Sequence, residues 1–272
     1  MCRLIKDITF GQYFIADSII HKLDPRLKIL LMILFVIILF VCSEFITLGI
    51  YALFTFTILI LSKVALRLYF KNIKVIIPII LFTALLNLFY TKTGTEFELF
   101  WNISIWSGGI SRAVFMSLRI FLLILISSVL TYTTTPNDIT DAIERLLSPL
   151  KFIGLANAVH TVSMMMTIAL RFIPTLIDET DKIMNAQKAR GADMESGGII
   201  RRIKALLPIL IPLLISSVRR AYELAEAMEC RCYNGGIGRK RMKQLKMSRL
   251  DYISLAISIF LVAAIIVIDI YI

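Results

Sequence analysis

Two short stretches hold the residues best placed to do chemistry. One reads Ala189-Arg190-Gly191 and the other Cys230-Arg231-Cys232. An arginine presents a fixed fork of donors and stays protonated, so it suits a carboxylate-lined groove on a partner. A small residue on each side would keep a helix end slim enough to enter such a groove. Taken singly, either tripeptide also reads as a solvated helix end. Two of them, closing two consecutive long helical segments, make the stronger pattern.

Other chemistries are poorly served. There is no G-x-x-x-x-G-K-[ST] loop, and the glycines at 235, 236 and 238 have the wrong spacing and no strand before them. With only His21 and His160 in the chain, neither a nucleophilic triad nor a zinc set suggests itself. Cys2, Cys42, Cys230 and Cys232 are too few and too scattered for a disulfide framework. Asp178, Glu179 and Asp181 form the nearest carboxylate cluster, but they fall on the polar side of a helical segment and read as solvated. The chain is therefore expected to be no enzyme and to hold no cofactor or metal of its own.

The segments that must position the arginines are helical. Residues 152–190 place Phe172, Ile173, Leu176, Ile177, Ile183 and Met184 at helical spacing, with polar residues between them and Pro174 predicting a kink. Residues 193–198 form a turn. A second arm runs from Arg201 to Cys230 and holds Pro208 and Pro212. Ala221 and Ala225 either mark where the arms cross or are simply good helix formers. Met164, Met165 and Met166 suit either an adaptable partner contact or plain core packing, and three consecutive residues cannot share one face.

The rest is membrane-like. Of 272 residues, 58% are hydrophobic, against ~45–50% in soluble domains. The net charge of +11 fits the positive-inside rule better than nucleic-acid binding. Residues 29–42, 45–61, 75–90, 110–132 and 252–272 read as five spans, the first two as a tight hairpin. Asp24 is placed to cap the first, with Pro25 in its first turn, and its short length is to be absorbed either by snorkelling of Lys28 or by local thinning of the bilayer. Residues 91–109 read as a polar loop with interfacial Phe100, Trp101 and Trp106. Arg119 lies mid-span, either bonded to carbonyls of neighbouring helices or lining a transport path. Thr135-Pro136 starts a short amphipathic helix over 139–150.

Both arms are apolar enough to be mistaken for spans. If residues 152–172 crossed, Lys182, Lys188, Arg190, Arg201, Arg202 and Lys204 would all lie outside, against the charge rule. Keeping the arms inside leaves every basic residue but Lys92, Arg112 and Arg119 on the cytoplasmic side. The expected fold class is thus an all-α integral membrane protein with about five transmembrane helices and a cytoplasmic module of long crossing helices. Its divisions are 1–132 (four spans), 133–249 (the coupling module) and 250–272 (the last span, ending outside).

The order of several motifs resembles the transmembrane coupling subunit, or T component, of energy-coupling factor transporters. These are ABC transporters that import vitamins and transition-metal ions. The matching residues are His21-Lys22-Leu23-Asp24-Pro25-Arg26, Thr133-Thr134-Thr135-Pro136, Ala169-Leu170-Arg171-Phe172-Ile173-Pro174, Ala186 to Gly191, and Ala227 to Tyr233. The resemblance spans nearly the whole chain. It implies that Ala189-Arg190-Gly191 and Cys230-Arg231-Cys232 dock into grooves of two ABC-type ATPase subunits, which bind the ATP. The second motif departs from the common Ala-Arg-Gly form at both flanks, with cysteine remaining small. The resemblance also implies a substrate-capturing S component as membrane partner, no nucleic acid, and a bacterial or archaeal plasma membrane. The alternative, a self-contained ion-coupled secondary transporter, would need internal repeats and several midplane polar groups. Only Arg119, Asn87 and Pro78 qualify, and no repeat is visible.

Overall fold

The computed structural model describes residues 13–14, 16–91, 96–99, 103–149, 156–192, 199–234 and 247–271. The turn expected at 193–198, the glycine-rich and basic stretch at 235–246, and Phe100 and Trp101 lie outside them. Eight helices occur among the described residues. They are α1 (Pro25–Val41), α2 (Phe45–Ser62), α3 (Leu66–Tyr90), α4 (Ser107–Thr133), α5 (Pro136–Leu146), α6 (Ala156–Ala189), α7 (Ile199–Cys230) and α8 (Arg249–Tyr271). The chain is an all-α membrane protein with one small exception. Strands β1 (Glu96–Leu99) and β2 (Ile103–Trp106) pair antiparallel, with Glu96 opposite Trp106 and Leu99 opposite Ile103. This hairpin stands where the sequence suggested a polar loop. Its alternation, Glu-Phe-Glu-Leu then Ile-Ser-Ile-Trp, is only one strand-length long on each side, too short to outweigh the surrounding helical signal.

Two compact units emerge: residues 13–135 with 247–271, and residues 136–234. The first is a helical bundle whose core includes Leu39, Leu48, Tyr51 and Leu122 from α1, α2 and α4, all nearly inaccessible. Gly109 at the start of α4 lets the end of α3 come close. A Cβ there would lie 2.9 Å from the Leu88 carbonyl and 3.3 Å from that of Thr91, so a side chain would push the helices apart.

The bundle is tied at both ends by polar groups that cap helices or bond from one helix to the next. At one end Asp24 caps α1, accepting from the Arg26 amide at 2.9 Å, and Pro25 takes the first turn as expected. Asp251 of α8 accepts from the Ser248 amide at 2.6 Å and, across the bundle, from the Asp24 amide at 2.8 Å. Lys28 does not snorkel. It is buried, and its Nζ donates to the carbonyls of Thr133 at 2.9 Å and His21 at 3.3 Å, capping the end of α4. His21 Nε2 donates to the Phe14 carbonyl at 2.9 Å, and the Phe14 amide donates to the Tyr132 carbonyl at 3.0 Å. The His21-to-Arg26 motif is therefore a latch onto α4.

At the other end Glu44 precedes α2 without a side-chain cap. Asp269 of α8 ties into that end, accepting from the Ser43 amide at 3.1 Å and Thr47 Oγ1 at 3.0 Å. Arg119 donates from Nη2 to the carbonyl of Cys42, and its guanidinium lies 4.7 Å from the Phe115 ring centroid. Asn87 Nδ2 donates to the Thr83 carbonyl of its own helix at 2.8 Å. Both intramembrane polar side chains thus have structural partners.

Five described helical stretches are long and apolar enough to cross a membrane: Phe45–Ser62, Ser107–Thr133, Ala158–Ala189, Lys204–Cys230 and Arg249–Tyr271. Three coincide with expected spans. Helix α1, at 17 residues, and the apolar Lys74–Tyr90 stretch of α3 fall short of that length. The two arms reach it and are the least apolar of the five. Length and composition admit the arms as spans, and only the charge asymmetry of the sequence separates them from α2, α4 and α8.

Candidate docking site at two arginine-capped helix ends

In the second unit, α5 packs on α6 through Glu144. It accepts from Ser163 Oγ at 2.6 Å and lies 3.3 Å from His160 Nδ1. The short helix expected at 139–150 is observed at Pro136–Leu146. The two arms, α6 and α7, contain Pro174 and the pair Pro208 and Pro212 inside them.

The arms pack antiparallel over the C-terminal half of α6 and the N-terminal half of α7. Met184 and Ile209 are buried, with Ile183, Ala192 and Ala205 against them. Further along, Glu179 accepts from Ser216 Oγ and pairs with Arg220. Glu179 is therefore not a solvated carboxylate but the link between the arms, a correction that sequence spacing did not reveal because its partners belong to the other helix. Asp178 is exposed. Ala221 and Ala225 are also exposed and do not form the crossing, which lies nearer the start of α7. Met165 and Met166 are exposed, at 61% and 42%, while Ser163 is buried.

The two arginine motifs share one backbone geometry. At the first, the Gly191 amide donates to the Lys188 carbonyl at 3.0 Å and the Ala192 amide to the Gln187 carbonyl at 3.0 Å, with Gly191 at φ 81°. At the second, the Cys232 amide donates to the Glu229 carbonyl at 2.8 Å and the Tyr233 amide to the Met228 carbonyl at 3.0 Å, with Cys232 at φ 53°. Both are Schellman caps, closing the helix with one left-handed residue. Arginine is the last residue before that reversal in each case. A cation there also faces the negative end of the helix dipole.

This changes the meaning of the third motif position. The sequence suggested a small residue for slimness. The structure shows a left-handed residue, the reason glycine suits it. Nothing lies within 4 Å of a Cβ built on Gly191, so the requirement is conformational and not steric. Cys232 meets the same geometry with a side chain, at a cost of roughly 1 kcal/mol.

The first tip has a brace that the sequence reading missed. Pro212 has no amide hydrogen, so the carbonyl four residues before it, that of Pro208, has no partner within α7. Gln187 Nε2 reaches that carbonyl at 3.4 Å. The signal was present as a proline with a bare carbonyl four residues upstream, but nothing local says which side chain answers it.

Ala189, Arg190, Gly191, Cys230, Arg231 and Cys232 are all exposed. The structure does not bring the two tips together. From Ala205, which packs with Ala192 against the same buried pair, to Cys230, α7 extends up to about 38 Å at ~1.5 Å per residue. The arrangement offers two separate guanidinium forks, each at a capped helix end. Among the described residues, no three His, Cys, Asp or Glu side chains are grouped to hold a metal.

Comparison with known proteins agrees over most of the chain. A family model described as cobalt transport protein matches residues 16–244. The chain is similar to the energy-coupling factor transporter transmembrane protein of Clostridium kluyveri, with 51% identity covering 95% of this chain and 96% of the relative. Its counterpart in Ruminiclostridium cellulolyticum is 48% identical over 94% and 95%, and that of Bacillus subtilis 43% identical over 96% and 97%.

Proposed function

Since the chain belongs to the family of energy-coupling factor transporter transmembrane proteins, we propose that it is the non-catalytic coupling subunit linking two ABC-type ATPases to a substrate-capturing S component. Arg190 and Arg231 each enter a carboxylate-lined groove, one on each ATPase. The observation that carries this reading is the pair of exposed arginines on matching helix caps at well-separated points of the two packed arms. One surface patch would suit one partner; two tips this far apart suit two. Charge-assisted bonds of this type contribute ~1.5–3 kcal/mol each.

In this reading ATP binds to the partners, and the arms carry the resulting motion to the S component, which takes up a vitamin or transition-metal ion. Their exposed apolar side chains, Met165 and Met166 among them, serve that contact. The N-terminus and arms are cytoplasmic in a bacterial or archaeal plasma membrane, and the C-terminus lies outside. Purified alone, the chain neither binds nor hydrolyses ATP; co-expressed with its two ATPases and an S component, it supports ATP-dependent uptake. Hydrolysis by the isolated chain after removal of all ATPase subunits would overturn the assignment.

A further inference from the structure

The first unit contains an apolar cleft of about 370 Å³ between α1, α2, α4 and α8, a size typical of ligand-binding clefts. Its lining includes Phe35, Phe54 and Ile126. The wall has few polar residues, and each faces away from the space in chemical terms. Ser254 Oγ donates to the Asp251 carbonyl at 2.9 Å, Ser258 Oγ to the Ser254 carbonyl at 2.7 Å, and Thr133 Oγ1 to the Val129 carbonyl at 2.7 Å. Lys28 Nζ is held by the carbonyls of Thr133 and His21. The cleft therefore offers hydrocarbon contact and little else. A polar transport substrate would find few donors or acceptors there.

Its depth runs from Lys28 to Phe35 on α1, about 10 Å, and from Leu250 to Ser258 on α8, about 12 Å. One leaflet of a bilayer core is about 15 Å thick, so the cleft accepts most of one acyl chain. Its mouth is basic. Lys22 adjoins the lining residue Leu23, Lys63 follows Leu61, and Arg249 precedes Leu250, and all three cations are exposed. The carboxylates nearby are Asp24 and Asp251, both buried and accepting backbone amides, and Asp17, which is exposed.

The geometry points to a bound anionic phospholipid, with one acyl chain between α1, α2, α4 and α8 and its phosphate beside Lys22, Lys63 and Arg249. The test uses the full chain in its native membranes with two photoreactive probes. One is phosphatidylglycerol and the other phosphatidylcholine, each with a diazirine on the acyl chain, and labelling is mapped by mass spectrometry. The phosphatidylglycerol probe labels peptides bearing Phe35, Phe54 and Ile126 in preference to the exposed Ile77, Leu81 and Phe82 face of α3, and in preference to phosphatidylcholine. Filling the cleft with Ser254→Leu and Ser258→Leu abolishes the cleft labelling and leaves that of α3. Lys22→Gln, Lys63→Gln and Arg249→Gln each reduce the lipid preference by about fivefold, as expected for a basic residue near an anionic headgroup. These exposed positions carry the test should the filled variant fail to fold. Equal labelling of cleft and α3, equal labelling by both lipids, or cleft labelling that survives filling overturns the proposal. So does no cleft labelling at all, which would mean that protein occupies the space.

Discussion

The Arg190 and Arg231 tips have the same backbone path and different support. At the first, glycine takes the left-handed position without strain, Ala192 packs on the Met184–Ile209 pair, and Gln187 reaches across to α7. At the second, cysteine takes that position, and the residues around it are mostly exposed. The first tip is therefore built into the hairpin, while the second stands at a more exposed helix end. Rigid presentation favours binding because less ordering remains to be done on docking. The first tip should be the better organised of the two before any partner arrives.

The largest expected effect comes from reversing charge at both. Arg190→Glu with Arg231→Glu places like charge against the inferred acidic grooves. The chain should still insert in the membrane but lose both ATPases on co-purification, and uptake should fall with them. Each single alanine variant should loosen one ATPase contact by ~1.5–3 kcal/mol. Arg219→Glu is the proper control. Arg220 is not, because it pairs with Glu179. Retention of both ATPases by the double variant at physiological salt would remove the docking role altogether.

The cap positions come next. Cys232→Gly should relieve the left-handed strain and slow hydrogen exchange at the Tyr233 amide by roughly fivefold, while Gly191→Ala should speed exchange at the Ala192 amide by a similar factor, each reflecting about 1 kcal/mol. Opposite signs at the two tips support the cap account. Equal signs would mean that side-chain size, and not backbone geometry, governs the third position.

A smaller effect is expected from Gln187→Leu. Losing one partly exposed hydrogen bond costs about 0.5–1.5 kcal/mol, and the loss should appear in ATPase retention at the first tip alone. An equal change at the second tip would show that the brace is not local.

Acid provides the mildest perturbation. Burial, followed by the nearby Lys28 charge, lowers the His21 pKa below its usual 6.5, against the opposing bond to the Phe14 carbonyl. Neutral His21 thus contributes stability that is complete above pH 6.5 and is lost as pH falls from there through the lowered value. The melting temperature in detergent should decline slightly over that window and flatten in His21→Gln. A matching decline in ATPase retention would mean that the first unit, and not the tips, sets docking.

What the sequence determined was local or statistical. Hydrophobic runs fix an all-α membrane protein, because backbone amides in lipid must be satisfied within each span. Asp24-Pro25 fixes the start of α1, because a cap and its helix lie within a few residues. The arginine motifs were visible as residues, and the family resemblance followed from their order. Tertiary structure decided which distant groups meet. Asp269 ties α8 to the start of α2, Lys28 caps α4, Glu179 ties α6 to α7, and Gln187 answers the carbonyl left by Pro212. Each is a buried or half-buried polar group whose partner belongs to another helix, and periodicity along one helix carries no information about its neighbour. The left-handed turn at Cys232 belongs with these. Glycine announces such a conformation by its identity, whereas cysteine adopts it only because the backbone bonds of the helix end hold it there.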